Sequence, residues 1–467
     1  MTKYKIPAIL IFAFLLQLTP LALIAQSVDT ATLGHYQRIA DDIIFTGLRS
    51  GHAYDILSEL SVSIGPRLSG SPNAAKAVEW SKGKMESFGF DNVHLEPVMV
   101  PHWVRGNVED AAIVSPGSAA RKLNIAALGG SIGTTDDGIT AEVLEVKSFD
   151  DLKKLGDKAK GKIIFFNRPM DRSKISTFDA YGGAVNQRGG GAVEASRAGG
   201  VAALVRSMTT MIDDVPHTGA MNYNDSIPKV PAAALSTKDA EMLDGLLSKG
   251  EKVSVKLRLS CQTLPDVESA NVVGELTGSE KPGEVIVIGG HLDSWDKGRG
   301  AHDDGSGCAH VIEALRLLKE MGLHPKRTIR AVNFINEENG LRGGKAYAAK
   351  SRPNEKHIAA IETDAGGFAP RGFGVTSDSL TFDKIARWSP LFASIEADRI
   401  RKGGGGADIG ELGRQGVPTI GLRVEGNRYF DYHHSDHDTI DRVNERELEL
   451  GAASIAILAY VLAEEGL

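Results

Sequence analysis

A chain of 467 residues, 42% hydrophobic and 24% charged, suits a globular protein of two or three domains with a large buried core. Its formal net charge is −7, and loss of a leader carrying Lys3 and Lys5 would leave it more acidic still. That balance argues against nucleic acid or an anionic membrane as a main partner.

Residues 1–27 are expected to form a secretion signal. Lys3 and Lys5 precede the apolar run Ile6–Leu16, and Ala25-Gln26-Ser27 offers the small residues a signal peptidase requires. The alternative is an uncleaved anchor, for which the run is short against the ~20 apolar residues of a span. The expectation is an exported chain, periplasmic or secreted, with no stable membrane insertion after signal cleavage. Cys261 and Cys308 could pair in such a chain. Cys308, however, falls in an apolar helical pattern and is expected to pack as a small hydrophobe.

Residues 28–105 are assigned to a catalytic domain, which resumes at 266 and runs to 467. Residues 106–265 between them have another character. Lys162–Phe166 and Val201–Val205 read as strands around a helical Ala192–Gly200, and Ile227–Pro231 with Val253–Leu259 completes a small β-rich module. It carries none of the polar motifs described below and is expected to be an inserted lid.

Downstream, strands and helices alternate. Val285–Ile288 is apolar throughout, as a strand buried on both faces should be. Ser306–Glu320 carries the helical stripe Val311, Ala314, Leu315, Leu318. Thr328–Ile335, Ile358–Glu362 and Pro418–Leu422 are further strands, and Glu447–Leu462 a closing helix. This rhythm predicts an α/β fold, a mostly parallel sheet with helices on both faces.

Polar motifs stand where these strands end: Gly289-Gly290-His291-Leu292-Asp293, then Ala301-His302-Asp303-Asp304-Gly305, Glu337-Glu338, Asp364, and Tyr432-His433-His434-Ser435-Asp436-His437-Asp438. Ligands gather at the carboxyl ends of strands in open α/β sheets, so distant motifs can converge there. Singly, each has an ordinary reading as a surface pair, a solvated loop or a turn former; the joint pattern is far more specific. A co-catalytic site needs a carboxylate that bridges two cations about 3.5–4 Å apart. Asp303 is the bridging candidate, with His291 and Asp364 on one metal and Glu338 and His434 on the other. Asp293 is expected to accept a hydrogen bond from the free ring nitrogen of His291. Glu337 is left to act as general base.

With Gly65–Ser71 (GPRLSGS) and Ala407–Pro418 (ADIGELGRQGVP), these motifs resemble the co-catalytic zinc exopeptidases, the family of bacterial aminopeptidases and glutamate carboxypeptidases. The resemblance implies the zinc exopeptidase fold, two zinc ions per chain held by His291, Asp303, Glu338, Asp364 and His434, and Glu337 as base. It further implies a protease-associated domain over the cleft and a cis peptide between Asp303 and Asp304. Small peptides, chiefly dipeptides with free termini, would be the substrates, and a homodimer the assembly. Where some relatives have Tyr before the metal-binding His, this chain has His433, a candidate for polarising the substrate carbonyl or a packing residue. His302 is expected to face solvent, and the loop Gly403–Asp408, with Asp408, to help recognise substrate termini. The alternatives are a general aminopeptidase on longer peptides, a single-zinc glutaminyl cyclase, and a dead peptidase domain acting in binding. The complete ligand set disfavours the last two.

Overall fold

The computed structural model describes residues 29–114 and 119–467, so the expected signal segment lies outside the described residues. Two eight-stranded sheets organise the chain. The first runs in the order Asp91–Val104, Gln262–Leu276, Arg327–Phe334, Lys281–His291, Lys356–Glu362, Thr419–Val424, Pro370–Thr376, Arg399–Lys402. Its four central strands, from Arg327–Phe334 to Thr419–Val424, are mutually parallel. The flanks are less regular: Asp91–Val104, Gln262–Leu276 and Arg327–Phe334 pair antiparallel, as do Thr419–Val424 and Pro370–Thr376.

The sheet is therefore mixed, parallel in four of its seven strand pairings and antiparallel in the other three. The physical reason is burial. Val285–Ile288 is fully enclosed and tolerates helical crossovers on both faces, whereas Asp91–Val104 alternates exposed and buried residues, as an antiparallel edge with one wet face does. Ser306–Glu320 and Glu445–Glu465 pack together and cover the sheet, with Thr30–Ser50 laid against the latter. Ser306–Glu320 is buried from Ser306 to Leu318, more of its surface than its apolar stripe alone requires.

All strands of the second sheet fall between Glu109 and Leu259. Helices Phe149–Leu155, Asn186–Arg197 and Thr237–Ser248 alternate with them, so this unit is itself α/β rather than simply β-rich. The expected strand at Ile227–Pro231 is absent, and pairing begins at Ala232. Pro228 and Pro231 have no N–H to give a ladder. Both cysteines are buried and free. No helix among the described residues is long and apolar enough to cross a membrane.

The loop between Lys281–His291 and Ser306–Glu320 carries most of the polar motif, and a single buried side chain organises it. Arg67 donates from Nε to the Leu292 carbonyl at 2.5 Å, from Nη1 to that of Arg299 at 2.8 Å, and from Nη2 to that of Gly300 at 2.9 Å. Within this loop the Asp303–Asp304 peptide is cis. Replacing Arg67 with Leu strands these carbonyls out of reach of water. Arg67→Leu is expected to lower stability by about 3–5 kcal/mol, read as a shift in denaturant midpoint; a loss below about 1 kcal/mol would show that the loop is held by other means.

Candidate active site

Each sequence-predicted ligand sits at or just beyond the carboxyl end of a central strand. His291 closes Lys281–His291, Glu338 follows Arg327–Phe334, Asp364 follows Lys356–Glu362, and His434 lies beyond Thr419–Val424. They converge on Asp303, whose two carboxylate oxygens face opposite ways. Oδ1 lies 3.2 Å from His291 Nε2, which in turn lies 3.7 Å from Asp364 Oδ1. Oδ2 lies 3.1 Å from His434 Nε2, itself 3.0 Å from Glu338 Oε2. One carboxylate thus stands between two pairs of possible ligands.

His433 is also within reach, its Nε2 3.7 Å from Asp303 Oδ2 and its ring stacked on His434 at 3.4 Å between centroids. Two sets of ligand atoms, those of His291, Asp303 and Asp364 and those of Asp303, His433 and His434, each lie within 4.8 Å of one another. Asp303 Oδ2 and Asp364 Oδ1 are buried without a hydrogen-bond donor. Buried anionic oxygens lacking donors, beside imidazole nitrogens, are what a divalent cation satisfies, so the residues fit a metal.

The electrostatics point the same way. Burial opposes charge on Asp303, yet His291 and His434 hold its carboxyl well below the usual range. Burial likewise opposes charge on His434, but Glu338 and Asp303 push it up to about 9. Burial, with Asp303 alongside, raises Glu338 to about 7. Burial also lifts Glu337 well above the ordinary carboxylate value. Glu337 lines the same cavity as Glu338 and Asp303.

Several expectations need correcting. His291 Nδ1 meets the backbone carbonyl of Asp293 at 2.9 Å rather than its carboxylate. That carboxylate stays 3.9 Å from Nδ1 and instead accepts from the Glu337 N–H at 3.0 Å and the Ser69 hydroxyl at 2.9 Å. His302 does not face solvent. It is buried between the rings of Phe368 and Tyr432, with Nδ1 accepting from the Gly367 N–H. Asp408 does not line the cleft; it is buried, both oxygens lack donors, and Glu362 beside it adds to burial in raising its carboxyl.

Other residues escaped sequence reasoning. Asp304 is the anchor of the Asp–Asp pair: its Oδ2 accepts from the His291 N–H at 3.0 Å and its Oδ1 from the Gly307 N–H at 2.9 Å. A Cβ on Gly290 or Gly307 would come within 2.7 or 2.2 Å of that carboxylate, which explains the glycines. Asp438 accepts from the backbone N–H groups of His302 and Asp303, at 2.7 and 3.1 Å. Its place in the histidine-rich motif was the available signal. Arg188, from the second unit, had none.

The cavity in front of this cluster measures about 470 Å³ and is lined from both units. Phe178, Tyr181, Arg188 and Asn222 form one wall; Asp303, Glu337, Glu338, Asp364, Tyr429 and His433 form the other.

Comparison with known proteins decides the family. Residues 271–459 match Peptidase family M28. The chain is 38% identical to carboxypeptidase Q of Bos taurus over 436 residues, spanning 92% of this chain and 90% of that one. The chain belongs to peptidase family M28. A crystal structure of a Peptidase M28 precursor from Shewanella amazonensis SB2B superposes with a TM-score of 0.88 at 35% identity, covering 93% of this chain and 98% of that one. BSAP, a zinc aminopeptidase from Bacillus subtilis, shares the fold with a TM-score of 0.65 at 21% identity, covering 88% of this chain and 94% of its own. This M28 chain is a metallo-exopeptidase.

Ligation by Nε2 requires His434 neutral, so cation binding to this M28 peptidase displaces a proton. The raised value of about 9 for His434 puts that proton in place at pH 7, and Glu338, near 7, adds a second as pH falls further. Cation affinity, measured by chelator competition, is expected to fall steadily from pH 9 to pH 6. An affinity flat across that range would remove His434 from the ligand set.

Proposed function

We propose that this peptidase is an exported di-zinc enzyme that removes the N-terminal residue from small peptides, chiefly dipeptides, with the second unit acting as a protease-associated lid. The observation that carries the dipeptide reading is Arg188. This buried guanidinium reaches the cavity from the lid side and has no carboxylate within ion-pair range among the described residues. Nη2 donates to the Tyr181 hydroxyl at 2.7 Å, and Nε has no acceptor. Nη1 lies 3.4 Å from His434 Nδ1. With Nε2 turned to the cation side, that Nδ1 keeps its hydrogen and cannot accept. A cation so placed calls for an anion, and the free carboxylate of a short peptide supplies one in the bidentate form guanidinium prefers.

Zinc ions held by His291, Asp303, Asp364, Glu338 and His434 would polarise the scissile carbonyl and acidify water. Glu337 then takes the proton from the attacking water and delivers it to the leaving amine. Its buried position, which lifts its carboxyl, equips it for both directions of transfer. Asp293 fixes Glu337 by accepting its backbone N–H. His433, lining the cavity beside Asp303, is placed to face the substrate carbonyl.

The competing reading, an aminopeptidase on longer peptides, draws support from a second cavity of about 440 Å³. It shares Asp364 and Phe178 with the first and extends along Gly404–Gly406.

Two experiments test these readings. Glu337→Gln is expected to keep the metal content of the parent while kcat falls by about 10²–10⁴-fold; near-parental turnover would remove Glu337 as base. A dipeptide, its C-terminal amide, and its tripeptide and pentapeptide extensions are then compared. The dipeptide should be cleaved far faster than the amide and the pentapeptide, and Arg188→Met should raise KM for the dipeptide while sparing the amide. Equal rates on all four substrates would favour the general aminopeptidase.

A further inference from the structure

The two half-sites are braced from different parts of the molecule. His291 and Asp364 are held by the first sheet and its covering helix. The His291 N–H donates to Asp304, its carbonyl accepts from the Cys308 thiol at 3.1 Å, and the Thr363 N–H, next to Asp364, donates to the Gly289 carbonyl at 3.1 Å.

His434 is held from the second unit, and Glu338 by a neighbour whose ring packs into that unit. His217, buried there, shares a hydrogen bond of 2.7 Å between its Nδ1 and the His433 carbonyl; because the partner is a carbonyl, Nδ1 is the donor. The next residue, Thr218, donates its backbone N–H to the His434 carbonyl at 2.9 Å. Consecutive residues of one unit thus grip consecutive carbonyls of the other, on a loop where His434 itself sits at φ +60°, a conformation L side chains rarely adopt. The grip continues behind Thr218. Its hydroxyl donates to the Ala127 carbonyl at 2.7 Å and accepts from Arg105 Nη2 at 3.3 Å, and Arg105 Nε donates to Asp296 at 2.8 Å. Beside Asp296, the Trp295 N–H donates to Glu338 Oε1 at 3.2 Å. The Trp295 ring packs in the apolar core of the second unit, so close over Gly129 that a Cβ there would sit 1.8 Å from it.

We infer that the inserted unit governs one cation position and not the other: its His217 and Thr218, with Arg105 of the first unit linking Thr218 to Asp296, are positioning residues for the half-site of Glu338 and His434. This rests on the two-cation reading above. Groups that orient a ligand through its backbone and neighbours typically change metal affinity by about 10–100-fold when removed.

The test is a zinc titration of the signal-free chain against a competing chromophoric chelator, with far-UV circular dichroism and a denaturation midpoint for each metal-free variant. Wild type should bind two zinc ions. His217→Leu should keep one at wild-type affinity and weaken the other about 10–100-fold. His217→Asn, which places an amide N–H near the position of Nδ1, should restore it. Were His217→Leu to fail to fold, Thr218→Val, which keeps the backbone N–H but cuts the links to Arg105 and Ala127, should show the same selective weakening. Both affinities falling together in a folded variant, or neither falling, would overturn the inference. A wild-type chain binding a single zinc would instead overturn the two-cation reading, and this inference with it.

Discussion

Asp303, Asp304, Glu337, Glu338 and Asp364 crowd one corner of the molecule around His291 and His434, whose rings these acids push toward the charged form. Like charges at a few ångströms in a poorly polarisable interior repel strongly, and burial adds a desolvation cost for each ionised carboxylate. The chain does not relieve this by spreading the acids apart. It holds them together through backbone donors and a buried arginine, with Arg67 on the carbonyls of the loop, Asp304 on the His291 N–H and Asp438 on the His302 and Asp303 N–H groups. A framework that forces anions together without donors on Asp303 Oδ2 and Asp364 Oδ1 is built around positive charge supplied from outside.

That constraint explains why the site spans two sheets. The parallel centre of the first sheet delivers His291, Glu338 and Asp364 at adjacent strand ends, where the backbone is rigid and already paired. His434 comes from an irregular stretch with no strand partner, so its placement falls to contacts from elsewhere. The second unit supplies them through Thr218 and His217, and the same unit contributes Arg188, Tyr181 and Phe178 to the cavity wall. Positioning a ligand and shaping the substrate space are thereby tied to one body.

The clustering of His291, Asp303, Glu338, Asp364 and His434 could be read from the sequence because metal sites use few residue types and because strand ends follow from apolar runs such as Val285–Ile288. The helix Ser306–Glu320 matched its stripe to the residue. Where the reading missed, the cause was three-dimensional. His302 is polar and sits beside a glycine-rich turn, yet Phe368 and Tyr432, 66 and 130 residues downstream, close over it. Asp293 has the right spacing for the ring of His291 and its carboxylate comes within 3.9 Å of Nδ1, but the Glu337 N–H and the Ser69 hydroxyl hold it there and the backbone carbonyl of Asp293 takes the ring nitrogen. The antiparallel flanks of the first sheet depend on which edge meets water, and no local pattern states that. Arg188 lies among glycines in a segment with no motif, and its place on the cavity, with no ion-pair partner among the described residues, appears only in space.

The charge distribution across the cavity also bears on how a substrate would be oriented. One wall carries the acids, the other a guanidinium with donors to spare. A free dipeptide is itself a dipole, ammonium at one end and carboxylate at the other. Inside a cavity of about 470 Å³ with low-dielectric walls, the field between the two walls favours the arrangement that puts the ammonium toward the acids and the carboxylate toward Arg188. On the proposed reading the peptide bond would then lie between them, on the side of Asp303 and Glu337. A peptide extended at its C-terminus carries its anion further away and loses the second anchor, while one blocked at its N-terminus loses the first. On the proposed dipeptidase reading, discrimination by length would then follow from charge separation as much as from the volume of the cavity.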